Sequence, residues 1–372
     1  MANKKSLYAR VTLFEKIWTI LTILKAPAAL LYQITFARWN EANASKSITR
    51  IVRDFIPRFV TGELSAPQIQ WLSGPNKDKF IAWGKSNKIP IVVEDIGEDA
   101  TLLWMGEKRT DRVVLYLHGG GYLIPYTDNT PELLRHIQLT VGGGTPGFGV
   151  VMLDFSDDGP ATVSERPFPA QLLQANLALT HLFQAGVRPE NLQLFGDSAG
   201  GNLILQLLAH ALHDFPDAGF PPSPLRGRAP LRGAYLMSPW VRVSGRGGSF
   251  ARNAADVLPP ATYEEWGRLV LHTIPADRAH RDFIEFDGAP ADWFRGVDGL
   301  VKSILVSAGG EEGLYDDCVG LKETLERFHG DVGFLDQKHG IHLEPVFGFT
   351  GRDRPGEATR ALVNWHKTTF GL

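Results

Sequence analysis

The sequence predicts an α/β fold in which a mostly parallel sheet carries helices on both faces. Two observations support this class: short apolar stretches of strand length recur from residue 89 onward, and stretches of helical periodicity alternate with them. A third is the pentapeptide Gly-Asp-Ser-Ala-Gly at 196–200, which lies between an apolar run and a helix-like run. A sharp turn from a strand into a helix has this arrangement.

The predicted sheet begins with a hairpin, because residues 91–93 and 101–105 are apolar and a Gly-Glu-Asp turn separates them. Six further apolar runs are typical of buried parallel strands: 112–117, 149–154, 192–195, 233–237, 303–307 and 332–335. The helices predicted between and after them cover 131–141, 168–184, 202–210, 316–329 and 357–369. This main domain covers residues 89–372. Residues 241–299 are aromatic and irregular, which predicts a cap inserted after the sixth strand.

The first 88 residues are predicted to be a separate helical segment. Residues 40–88 are polar, whereas 17–36 are apolar and about long enough to cross a bilayer, with Lys25 and Pro27 in the middle. Three hypotheses follow: a helix that packs over a site as a cap, an interfacial membrane anchor, or a transmembrane span. A signal-peptide cleavage site is missing, so cleaved secretion is not favoured. We expect the protein in the cytoplasm or on an intracellular membrane such as that of the ER.

Composition excludes several classes of function. The net charge is −3 and the basic residues form no block, so a nucleic-acid partner is not expected. Cys318 is the only cysteine, which rules out a disulfide within the chain and a cysteine metal cluster; no metal or cofactor site is expected. Nine Trp and 21 Phe are enough to line an apolar pocket as well as a core.

Ser198 is the candidate nucleophile. A serine hydroxyl becomes reactive when a tight turn holds it above the sheet beside a general base. Gly196 and Gly200 would let the strand and helix backbones approach closely at such a turn.

A run of glycines supplies a candidate oxyanion hole, the set of donors that stabilises the charged intermediate of acyl transfer. His118 and the run Gly119, Gly120, Gly121 follow directly on the strand 112–117. Their amides, with that of Ala199, would point donors into a cavity at the carboxyl edge of the sheet. The glycine run at 142–144 follows a predicted helix instead, and is interpreted as a flexible loop.

The base and the orienting acid should follow the last two strands. His342 is the preferred base, with His339 as the alternative, because both come after the strand 332–335. Glu311 and Glu312 are the candidate acids on the loop after 303–307. Asp316 and Asp317 are set aside, since they suit the N-cap and first turn of the next helix.

Together these motifs resemble the hormone-sensitive-lipase-like branch of the α/β-hydrolase superfamily. The matching pieces are the His-Gly-Gly-Gly-Tyr run at 118–122, the Gly-Asp-Ser-Ala-Gly-Gly-Asn-Leu run at 196–203, and Ser-Pro-Trp at 238–240. The resemblance implies an α/β-hydrolase fold over about residues 90–370 and a role for His118 in shaping its loop. Aligning Leu314 to Asp317 with the end of the family's Asp-Pro-Leu-x-Asp motif places Glu312 on the acid.

The chain departs from this family at two places. Glutamate and glycine stand where the family often has Asp-Pro, and Asp-Phe-Ser-Asp-Asp-Gly at 154–159 replaces the family's Tyr-x-Leu-x-Pro-Glu, so that pocket wall should differ. The apolar leader, residues 166–172 and Gly-Ile-His at 340–342 also resemble fungal steryl acetyl hydrolases and related esterases of secondary metabolism.

The expected function is hydrolysis of a carboxylic ester of an apolar small molecule through an acyl-enzyme on Ser198, as in an esterase, deacetylase or lipase. An acyltransferase with the same triad is the alternative, since an alcohol or amine could replace water. A non-catalytic ligand receptor or a membrane-tethering protein is a weaker hypothesis, because the set of reactive residues is complete. The sequence leaves membrane association and a homodimer open.

Overall fold

The computed structural model describes residues 8–39, 46–155, 166–253, 256–349 and 356–372. Within them, one eight-stranded sheet has the order β1-β2-β4-β3-β5-β6-β7-β8. The strands are β1 Ile91–Gly97, β2 Ala100–Met105, β3 Val113–Leu117, β4 Gly149–Asp154, β5 Leu192–Asp197, β6 Gly233–Met237, β7 Ile304–Gly309 and β8 Val332–Gln337. The six strands from β3 to β8 run parallel to one another. The β1–β2 hairpin is antiparallel and joins the sheet by an antiparallel pairing of β2 with β4.

Helices cover both faces of the sheet, as the near-continuous apolar strands require. They are α1 Leu13–Thr35, α2 Ile48–Glu63, α3 Ala66–Ser73, α4 Asn76–Asn87, α5 Thr130–Val141, α6 Ala170–Gln184, α7 Ala199–Leu212, α8 Gly248–Arg252, α9 Pro260–His272, α10 Arg278–Arg281, α11 Tyr315–Glu326, α12 Glu344–Phe347 and α13 Glu357–Phe370. Alternate residues of β3 enter two cores, so that Leu115 packs towards α6, α7 and α11 while Val114 packs towards α5 and α13. The sheet is therefore buried from both sides.

The α/β-hydrolase architecture expected from the sequence is confirmed, while several element boundaries differ from the predicted ones, among them those of α11 and α6. Helix α11 begins at Tyr315 with Leu314 in the cap position, so Asp316 lies in the first turn and the predicted N-cap is wrong. It ends at Glu326, before the predicted 329. Helix α6 begins at Ala170 rather than 168, because Pro169 occupies the cap position.

The parallel strands all end at one edge of the sheet. Leu117, the last residue of β3, pairs with Gly196 of β5, and the next residue of β5 pairs with Met237 of β6. The loops that carry the predicted reactive residues leave β3, β5, β7 and β8 at this edge. Ligands of open α/β sheets bind there.

Helices α8 to α10 lie between β6 and β7, within residues 241–253 and 256–299, the segment that the sequence predicts to be a cap. The N-terminal helix α2 contacts α9 of this cap segment. Thr262 of α9 donates to the Thr61 carbonyl over 3.0 Å, which ties the inserted cap to α2. Asn76 of α4 reaches the glycine run, since its Nδ2 lies 3.0 Å from Nε2 of His118.

The two buried residues of helix α1 are polar. Thr19 and Thr22 are its buried residues, and Gln68 of α3 donates to Thr19 Oγ1 over 2.8 Å. Large apolar side chains of α1 and the turn after it are exposed instead: Leu13, Phe14, Ile17, Trp18, Ile20, Leu21, Ile23, Leu24, Leu31, Tyr32, Phe36 and Trp39. By length and composition, α1 is long and apolar enough to cross a membrane.

Candidate active site

Ser198 lies on a strained turn between β5 and α7, with φ +52°. A Cβ on Gly196 would lie 2.4 Å from the Gly200 carbonyl oxygen, and a Cβ on Gly200 would lie 1.9 Å from that of Leu117. Only glycine fits at both positions. The turn is therefore a nucleophile elbow that holds Ser198 at the carboxyl edge of the sheet.

The glycine run divides into one structural and two available amides. Gly119 N–H donates to Asp197 Oδ1 over 2.8 Å, so this amide is not available to a substrate oxygen. We therefore no longer count Gly119 among the donors of the predicted oxyanion hole. Gly120 and Gly121 have φ of +102° and +63°. In the part of the chain that the structure describes, their amides and that of Ala199 donate to no protein acceptor.

His118 stabilises the glycine run by packing. Its ring stacks on Phe155, with centroids 4.0 Å apart, and its Nδ1 lies 2.7 Å from the Gly119 carbonyl oxygen. Burial lowers the pKa of His118 to about 4, which keeps the ring neutral. Phe155 belongs to the segment 154–159, where the chain departs from the family it resembles; residues 156–159 of that segment lie outside the described residues.

The structure brings His342 and Glu312 together. Nδ1 of His342 lies 3.2 Å from Oε2 of Glu312, and both side chains are almost completely buried. The alternatives pair with each other at the surface, where His339 Nδ1 lies 3.3 Å from Glu311 Oε1. A carboxylate on Nδ1 leaves the other imidazole nitrogen, Nε2, free to act as a base.

Burial affects both members of this pair. Burial raises the pKa of Glu312 to about 8. Hydrogen bonds from donors such as Ser238 lower this pKa but do not cancel the effect of burial. Burial also lowers the pKa of His342, and the charges of Asp256 and Asp197 oppose that shift. The neutral imidazole that a general base requires is therefore favoured.

A second buried carboxylate, Asp256, lies beside the pair and was not predicted from the sequence. It accepts a hydrogen bond from the backbone amide of His342 over 2.9 Å and one from that of Gly313 over 2.8 Å. These partners are 86 and 57 residues away along the chain. No local motif marks an aspartate for contacts at such separations.

Ser198 and His342 line one cavity of about 530 Å³. Its wall is largely apolar and comes from the N-terminal helices, the loop after the glycine run and the cap; the apolar members are Ile56, Pro57, Val60, Ile69, Leu72, Ile124, Pro125, Leu258, Trp266, Leu343 and Phe347. Trp266 stands closest to the glycine run, with its ring 2.7 Å from where a Gly121 Cβ would lie. Helices α2 and α3, which contribute to this wall, lie in the N-terminal helical segment that the sequence predicts.

Two basic residues, Arg53 and Lys79, line the cavity, and each forms an ion pair. Arg53 bonds Glu344 at 2.8 Å, and Lys79 bonds Asp128 at 2.7 Å. Across the described ranges, no group of three or more His, Cys, Asp or Glu side chains could hold a metal ion. The arrangement thus offers a buried serine hydroxyl, an imidazole paired with a carboxylate, and backbone amide donors beside a largely apolar cavity.

Comparisons with known proteins agree with this arrangement. The family described as "alpha/beta hydrolase fold" matches residues 114–344. An acetyl-hydrolase of Streptomyces hygroscopicus is 29% identical over 270 residues, which are 70% of this chain and 78% of that protein. Steryl acetyl hydrolase 1 of Saccharomyces cerevisiae is 28% identical over 104 residues, which are 28% of this chain and 23% of that protein.

Solved esterase structures share the fold. The crystal structure of an esterase from the bacterial hormone-sensitive lipase family has a TM-score of 0.64 at 22% identity and covers 88% of this chain and 99% of its own. That of EstE5 has a TM-score of 0.59 at 21% identity and covers 85% and 98%. The chain therefore belongs to the α/β-hydrolase family.

Proposed function

We propose that this hydrolase cleaves a carboxylic ester of an apolar molecule through an acyl-enzyme on Ser198, with His342 as base and Glu312 as the acid that orients it. The observation that supports this most directly is the buried 3.2 Å contact between His342 and Glu312, together with the cavity that His342 shares with Ser198. The imidazole is held by its Nδ1, so its Nε2 can serve the serine.

In the proposed reaction, His342 takes the proton of the Ser198 hydroxyl as its oxygen attacks the ester carbonyl. The amides of Gly120, Gly121 and Ala199 stabilise the oxyanion. The intermediate collapses, the bond to the alcohol breaks, and His342 gives its proton to the departing oxygen. Water, activated by the same imidazole, then attacks the acyl-enzyme and releases the acid and Ser198.

The cavity favours a substrate with a small acyl group and a larger apolar alcohol. Trp266 restricts the space beside Gly121, whereas Ile56 and Leu72 extend the apolar wall along α2 and α3. Two relatives carry acetyl hydrolysis in their names, which agrees with a short acyl group. We therefore favour an acetyl ester of an apolar alcohol as the substrate class.

We further propose that α1 lies in the interface of a membrane. Its fully buried residues are Thr22 and Thr19, of which Thr19 contacts Gln68 of α3, while most of its large apolar side chains are exposed. A span surrounded by lipid would have to give up the contact with Gln68, whereas a helix in the plane of the membrane keeps it. Ile56 and Leu72 line the cavity and are also 58% and 45% exposed, so an apolar substrate has a short path from lipid to Ser198.

Turnover of p-nitrophenyl acetate and p-nitrophenyl decanoate by the wild type and by Ser198→Ala tests the proposal. We expect the wild type to hydrolyse the acetate faster, and Ser198→Ala to lose turnover and labelling by a fluorophosphonate. A wild type that neither turns over an ester nor reacts with the fluorophosphonate would contradict the proposed chemistry. Preference for the decanoate would contradict the assigned acyl size alone.

A further inference from the structure

Asp256 lies on the turn between α8 and α9, and its carboxylate has no exposure to solvent. One oxygen, Oδ1, accepts from the amides of His342 at 2.9 Å and Val257 at 2.7 Å. The other, Oδ2, accepts from the amide of Gly313 at 2.8 Å and the hydroxyl of Tyr263 at 3.0 Å. Four donors satisfy a buried carboxylate well, and the set joins three separate parts of the chain.

Two of these donors belong to the loops that carry the proposed acid and base. The Gly313 amide directly follows Glu312, and the other amide is that of His342 itself. Asn253, three residues before Asp256, donates to the Glu312 carbonyl oxygen over 2.6 Å. The cap therefore holds the backbone on both sides of the Glu312 peptide bond, and the same turn holds the base.

The charge of Asp256 faces the base. Among the described residues, no Lys or Arg forms an ion pair with its carboxylate; Arg58 donates to its backbone carbonyl instead. The titratable groups around His342 are Glu312, Asp256, Asp197 and Tyr263. Burial raises the pKa of Asp256, and the two amide donors lower it.

We propose that Asp256 is a positioning residue that fixes the backbones of His342 and Glu312 relative to each other and whose negative charge favours the imidazolium formed during acyl transfer. A carboxylate placed on the backbone of the base acts on its orientation and its charge without touching the substrate. This inference rests on the proposed function. Its test therefore starts from a wild type with measured esterase activity.

The decisive variant is Asp256→Asn, which keeps the size of the side chain but puts an NH₂ group against one pair of donors and removes the charge. We expect kcat for p-nitrophenyl acetate to fall about 100-fold, with KM within about threefold, because the base and acid are displaced but the cavity is not. The acid limb of kcat/KM should move to lower pH by about one unit, since removing the negative charge of Asp256 lowers the pKa of Glu312 and of His342 alike.

Asp282→Asn is the matched control. Asp282 is also a buried carboxylate of the cap, and it pairs with Arg278 at 3.0 Å away from the cavity. We expect this variant to lose stability while kcat and the acid limb stay at wild-type values. A folded Asp256→Asn protein with wild-type kcat and an unmoved acid limb would overturn the proposal, whereas an inactive wild type would overturn the proposed function instead.

If Asp256→Asn does not accumulate as folded protein, Tyr263→Phe decides the matter. This change removes one of the four donors and keeps the carboxylate and its three backbone amide donors. We expect kcat to fall about three- to tenfold with KM unchanged, since one charge-assisted hydrogen bond of the set is lost. An unchanged kcat in folded Tyr263→Phe would refute the positioning role.

Discussion

The amide of Gly119 donates to Oδ1 of Asp197 over 2.8 Å, and this bond joins the glycine run to the residue before the nucleophile. The Tyr116 hydroxyl donates to the same oxygen. Burial raises the pKa of Asp197 to about 6, and both donors lower it. The run and the elbow are thus held as one unit, so a shift of either should disturb the oxyanion hole.

Gly119→Ala should disrupt this unit. The new Cβ would stand 2.5 Å from Asp197 Oδ2 and 3.1 Å from Ser198 Cβ, so the glycine run must move away from the nucleophile. We expect kcat to fall about 100-fold with a smaller change in KM, measured with p-nitrophenyl acetate.

Gly143→Ala is the matched control for that substitution. Its Cβ would meet no atom within 4 Å, and its φ of +65° costs about 1 kcal/mol of stability for a residue with a side chain. It should lower the melting temperature and leave kcat unchanged. Equal losses of kcat in the two variants would show that the run acts only through stability.

Glu312→Gln should lower kcat about 10⁴-fold, because the amide cannot hold the correct imidazole tautomer or stabilise its charged form. The neighbouring Glu311→Gln is the control, since Glu311 contacts the exposed His339 and lies outside the cavity. Initial rates of ester hydrolysis with both variants measure the difference. Equal or reversed losses would remove Glu312 from the triad.

The pKa of Glu312 also predicts how activity and stability depend on pH. The reaction needs its carboxylate form, and burial raises its pKa to about 8, so kcat/KM should rise as the pH increases towards 8. Stability should move the other way. The folded-state pKa lies above the ordinary value of 4.5, so the folded protein binds this proton more tightly, and stability is lost as the pH rises from 4.5 through 8.

Thermal melts of the wild type and Glu312→Gln check this opposition. The variant cannot ionise at this position, so its advantage in melting temperature should grow between pH 5 and pH 8.5. A difference that stays constant with pH would mean that ionisation of Glu312 costs the folded protein nothing.

Replacing the outward face of α1 should weaken membrane binding. Ile17, Leu21 and Leu24 are all exposed, and the triple change to serine removes apolar area that we expect to enter lipid. We expect the wild type to float with phosphatidylcholine vesicles and the triple variant to remain in solution, while turnover of the water-soluble p-nitrophenyl acetate is unchanged.

Ile81→Ser with Val93→Ser is the control for surface hydrophobicity, since both residues are similarly half-exposed but lie outside α1. This pair of changes should not affect flotation. Carbonate at alkaline pH should release the wild type from membranes, because a helix in the proposed interfacial position does not cross the bilayer. Resistance to carbonate would favour a transmembrane span instead.

Sequence patterns identified the parts of the site that depend on neighbours in the chain. Ser198 and its glycines occupy five successive residues, so their turn could be predicted from local geometry alone. The use of the Gly119 amide could not, because its acceptor lies 78 residues away. Glu311 and Glu312 follow the same strand; the family resemblance favours Glu312, and the structure buries Glu312 while it leaves Glu311 partly exposed.

The cap posed a harder problem, because its contacts follow no period. Asp256 reaches two catalytic loops through backbone amides, which have no signature in residue type. The sequence likewise did not predict that the buried residues of α1 are polar, because an apolar helix is expected to bury its apolar side chains. The buried Thr19 accepts a hydrogen bond from Gln68 of another helix, 49 residues away along the chain.

Part of the cavity wall is encoded outside the length of chain that carries the reacting groups. The family match begins at residue 114, whereas the wall contributed by α2 and α3 lies within Ile48–Glu63 and Ala66–Ser73. Substitutions in α2 and α3 can therefore change which substrate a relative accepts without changing the reacting groups. A chimera that exchanges residues 46–88 should inherit the alcohol preference of the donor protein and keep the acyl-transfer step of the recipient.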